Sequence, residues 1–116
     1  MSGAANPLHS IIDKCDERTW RARQRINPSA RRQCMELICE AREAALHGDV
    51  ERVLHLCSCV EEKVRDARMW RIADWLNDNA WNHQRIAAWF LTMKRIEEER
   101  LAFEAERREE LEDYRP

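Results

Sequence analysis

Apolar residues recur along this chain at the three- and four-residue spacing of helices. Leu8, Ile12, Cys15, Thr19 and Ile26 fall on one face of a first helix. Asn6-Pro7 starts it, a capping residue before a proline already set to helical φ, and Ser10 with Asp13 offers a rival capping box. Asn27-Pro28 ends it, because a residue before proline is pushed out of helical geometry, and the same pair opens the second helix. That helix turns Cys34, Leu37, Ile38, Ala41, Ala44 and Ala45 inward and stops at Gly48. Asp49 caps a third helix at once, which makes helices two and three antiparallel neighbours or the two sides of a sharp corner. Val53, Cys57, Val60, Val64 and Trp75 mark the stripe of the third helix, and Leu54, Ile72 and Leu76 widen it.

Arg71-Ile72-Ala73-Asp74-Trp75-Leu76 recurs fourteen residues later as Arg85-Ile86-Ala87-Ala88-Trp89-Phe90. Fourteen residues are two heptads, so both copies share a face if one helix carries them. Asn77-Asp78-Asn79 between them are poor helix formers and good caps. A break there predicts a helical hairpin with its two tryptophan faces packed together. The last helix then runs from about Ala80 to Tyr114, with Ile86, Trp89, Met93, Ile96 and Phe103 near heptad spacing. Past Ile96 the apolar positions thin out among charges. The expected fold is all-α: a bundle of about four helices over residues 1–96, with a charged helical extension over 97–116 suited to a coiled coil.

Composition sharpens this picture. No glycine or proline lies between Asp49 and Arg115, so the loops from which reactant pockets are built are scarce. No apolar run is long enough to span a membrane, and Met1 to Ser10 lacks the shape of a secretion signal. Cys15, Cys34, Cys39, Cys57 and Cys59 are an odd set without a secreted disulfide framework, which points to a reducing cytoplasmic or nuclear compartment. The net charge of -2 hides a polarity: Arg18 to Met35 contains six arginines and no acid, whereas Glu97 to Arg115 holds nine acids against four arginines.

Candidate chemistry is confined to binding. Trp70 and Trp81, off the inner stripes, and Leu101, Phe103 and Leu111 of the tail suit anchorage to a protein partner, a second copy included. The alternative is an RNA-binding helical dimer, with Arg18, Arg21, Arg25, Arg31 and Arg32 on phosphates and Trp20 stacked on a base. His55 and Cys59, four apart, would need Cys34, Cys39 or His47 to complete a zinc site, and buried inert cysteines are the simpler reading. Neither a phosphate loop nor a nucleophile elbow is present, and no serine has an activating partner. The expectation is a non-enzymatic interaction or adaptor module, for which a viral accessory role fits the arginine bias. No cofactor, small-molecule substrate or membrane partner is expected.

Overall fold

The computed structural model describes residues 7–78 and 82–114. It is an all-α bundle of four helices: α1 (Pro7–Arg21), α2 (Pro28–Leu46), α3 (Val50–Asp78) and α4 (His83–Tyr114). Cap chemistry accounts for most boundaries. The Asn27 carboxamide accepts from the Ala30 amide at 2.7 Å, satisfying one of the free donors at the start of α2. Gly48 takes φ +69°, and the Asp49 amide turns back to the Ala44 carbonyl at 3.1 Å, closing α2 with a left-handed residue that only glycine adopts without strain. Asp49 then accepts from the Arg52 amide at 3.2 Å to open α3.

Two boundaries differ from the sequence expectation. The first helix stops at Arg21 rather than Asn27, and residues 22–26 form turns that bring Ile26 into the body. An antiparallel partner starting at Pro28 leaves no residues for the reversal unless α1 gives up its last turn. The last helix starts at His83, with the Asn82 side chain accepting from the Arg85 amide at 3.2 Å. The expected start at Ala80, the capping Asn6 and Trp81 lie outside the described residues.

Directions follow from cross-helix pairs. Arg42 of α2 meets Asp13 and Asp16 of α1, and Lys63 of α3 donates to Gln33 of α2, so both neighbours of α2 run against it. Arg65 of α3 pairs with Glu97 of α4 at 2.9 Å, and Ser10 of α1 donates to Glu110 at 2.9 Å, so α4 runs against both α3 and α1. The result is an up-down-up-down bundle. Its core joins Ile11 and Ile12 of α1, Cys34 and Ile38 of α2, Val53 and Val60 of α3, and Leu111 of α4. Ala41, Ala44 and Ala45 line the inner face of α2, where small side chains let neighbouring backbones approach closely.

The charged tail does not extend beyond this core. Leu111 belongs to it, and Arg107 is only 3% exposed. What projects is the hairpin formed by the end of α3 and the start of α4, which draws the molecule out to 60 × 27 × 19 Å. The expected division at residue 96/97 thus falls inside α4, close to where that helix passes from the arm into the body. Two facts explain the inversion. The tail's thin stripe is satisfied by a few deep contacts, and its charges find opposite charges on α1 and α3.

Candidate interaction surface on the projecting arm

The arm comprises the α3 segment from Asp66 and the α4 segment up to Arg95. None of the described residues from 62 to 95 is buried, although Trp70, Trp75, Phe90 and Leu91 are large and apolar. Trp70 and Leu91 are each 70% exposed and Phe90 60%. Both helices run unbroken into the arm, where side chains meet little beyond the facing helix, apart from the turn after α1 at Arg71 and the start of α2 at Trp70.

The two copies of the repeated hexapeptide lie side by side and antiparallel across this hairpin. Their tryptophans do not pack together. Trp75 lines one flank with Ile72, Arg68, Arg71 and Arg25, under the Arg85 guanidinium at 5.4 Å from its ring. Trp89 lines the opposite flank with Met69, Trp70, Ala73, Met93 and Asp66. With the two tryptophans on different flanks, the expected contact between them is absent, and Trp75, expected inside, is 45% exposed. One flank is therefore basic and the other apolar, with a single carboxylate. Trp89 also meets Phe90 edge to face, centroids 4.7 Å apart.

The other expected anchors fare differently. Leu101 is half exposed on the outer side of α4. Phe103 is covered by the Arg18 guanidinium at 3.9 Å and faces α1, and Leu111 is core. Neither is open to a partner.

The arginine stretch divides into four environments. Arg18 turns inward, donating to Glu61 at 3.1 Å, and Arg107 shares that carboxylate at 3.3 Å. This cluster, with Glu61 only 7% exposed, crosslinks α1, α3 and α4, and the Arg107 Nη2 has no acceptor among the described residues. Arg21 pairs with Glu17 on the surface at 2.6 Å. Arg25 faces the basic flank of the arm, where Arg71 donates to the Gln24 carbonyl. Trp20, Arg31 and Arg32 converge, together with Arg23, on a groove between α1 and α2.

At the junction of arm and body, the Arg100 and Arg65 guanidiniums hold the Glu97 carboxyl down at about 2. Hydrogen bonding to Cys57 and complete burial hold the Cys15 thiol well above the ordinary thiol range, and burial pushes Cys34 up to about 11. His55 and Cys59 touch at 3.6 Å on the exposed side of α3, and among the described residues no third histidine, cysteine or carboxylate joins them.

Sequence reasoning missed Phe90, Leu91 and Met69 as surface residues of the arm. The signal was present: apolar side chains on three sides of a helix pair that has only one seam to fill. Among the described residues no helix is long and apolar enough to cross a membrane. No family model matches the chain, and comparison with curated proteins and with solved structures returned no match.

Proposed function

We propose that this chain is a non-enzymatic interaction module that self-associates through the apolar flank of its arm. The observation that carries this reading is the strip of Met69, Trp70, Ala73, Trp89 and Met93, exposed at Trp70 and half-buried at the other four, on the two helices that leave the body. Exposed apolar strips of this kind mark contact sites, and tryptophan and methionine there combine large buried area with adaptable packing. A second copy is the occupant the charges favour. The strip carries one carboxylate, Asp66, so two strips face each other with little repulsion, whereas the basic flank would set arginines against arginines. Pairing by a two-fold axis would complete a four-helix layer from two hairpins.

Sedimentation equilibrium tests the reading. The wild-type chain is expected to dimerise reversibly. Trp70→Ala combined with Met93→Ala is expected to raise the dissociation constant about 30-fold or more, the effect of losing roughly 2 kcal/mol at a hot spot, with unchanged helical circular dichroism. A wild-type chain monomeric at high concentration would contradict it.

A further inference from the structure

The groove between α1 and α2 lies on the body, and self-association leaves it unused. Asp16, Thr19, Trp20 and Arg23 line it from α1 and the following turn, and Pro28, Arg31, Arg32 and Met35 from α2, around a volume of about 400 Å³. Its indole is not covered by the fold. Trp20 stands 64% exposed, with the Arg23 guanidinium stacked over its ring at 4.0 Å and fixed there by a 2.8 Å hydrogen bond from Nη1 to the Trp20 carbonyl. Met35, similarly exposed, lies one turn beyond Arg31 and Arg32 on α2.

The charges are one-sided. Among the described residues, neither Arg31 nor Arg32 has a carboxylate partner, although Arg31 is half-buried. The one acid of the groove, Asp16, is engaged by Arg42 at 3.4 Å. A partly desolvated guanidinium without a counterion is a standing electrostatic cost that an anion relieves. Arg31 and Arg32 also sit in the first two turns of α2, where the helix dipole adds to their positive potential.

We propose that this groove binds single-stranded nucleic acid, with a base stacked on the Trp20–Arg23 platform and adjacent phosphates on Arg31 and Arg32. A planar aromatic face already carrying a stacked guanidinium matches a nucleobase, and fork-shaped donors beside it match phosphate oxygens. A duplex offers the phosphates but keeps its bases stacked inside, so it cannot use Trp20. An acidic peptide would satisfy the arginines while leaving the ring uncovered.

Fluorescence anisotropy with a labelled oligouridylate and an oligothymidylate of about ten residues tests this. Both are expected to bind saturably at low ionic strength, and more tightly than a duplex of equal length. Trp20→Ala should weaken binding about tenfold, Trp20→Phe should retain most of it, and Arg31→Gln with Arg32→Gln should reduce the salt slope by about 1.4, the increment for two single-strand phosphates. Because these side chains lie at the surface, circular dichroism should match wild type for every variant. The proposal is overturned by absence of saturable binding, by Trp20→Ala binding as wild type, by Trp20→Phe as weak as Trp20→Ala, or by preference for the duplex or for an oligoglutamate peptide.

Discussion

The body and the arm are built from the same two helices, α3 and α4, yet they solve opposite problems. In the body each helix has neighbours on more than one side, and Ile11, Ile12, Val53 and Val60 are fully enclosed. In the arm the same helices have little but each other, apart from the turn after α1 and the start of α2 at its base, and Trp70, Trp75, Phe90 and Leu91 remain exposed. Composition does not separate the two, since the arm is richer in aromatics than the body. What separates them is the number of layers: two helices share one seam, and a seam takes one stripe from each. The arm carries more apolar surface than one seam can hold.

Removing Glu61 attacks the body at its most interdependent point, because Arg18 and Arg107 both rely on it. Glu61→Ala is expected to destabilise the chain by about 3–5 kcal/mol, the cost of leaving a buried guanidinium uncompensated, as measured by urea unfolding. The same loss in the arm is expected to be small for folding and large for assembly. Trp70→Ala should leave the unfolding free energy from urea titration within about 0.5 kcal/mol of wild type at a concentration where the chain is monomeric, since the residue is an exposed surface side chain there, while weakening the dimer as above. Next, Gly48→Ala should cost about 1 kcal/mol by forcing a β-carbon into left-handed geometry; nothing lies within 4 Å of the added atom, so the penalty is conformational alone.

The smallest effect sits where the two regions meet. The folded Glu97 carboxyl is held below its usual value of 4.5, so its contribution is present above about pH 4.5 and is lost as pH falls toward about 2. With a third of the side chain exposed, screening keeps that contribution below about 1 kcal/mol. Acid titration should show Glu97→Gln less stable than wild type at neutral pH and equal to it near pH 2.

Much of the body was legible in the sequence because its signals are local. Asn27, Gly48 and Asp49 act within one turn of themselves, and the stripes of α1 and α2 are read off spacing alone. The tail was misread for the opposite reason. Its place in the core depends on Glu61, 46 residues from Arg107, and on Ser10, 100 residues from Glu110. An isolated Leu111 among charges carries no trace of such partners. Trp75 failed differently: its position on the stripe of α3 was correct, but the stripe outruns the core it was meant to fill. The arginine stretch was recognisable as basic, yet Arg18 shares the inner face of α1 with Ile11 and Cys15 and meets Glu61, 43 residues away, while Arg31 and Arg32 line the groove beside α1. Truncation at Glu97 would delete Arg107 and Leu111 and so dismantle the body.

The length of α3 and α4 has a mechanical corollary. Helices of 29 and 32 residues span about 43 and 48 Å, so whatever grips their far ends is kept well clear of α1 and α2. Two molecules paired flank to flank along their arms would form a dumbbell, its globular weights facing opposite ways and its handle made of four rods. Small-angle scattering would see such an object as two maxima of mass rather than one.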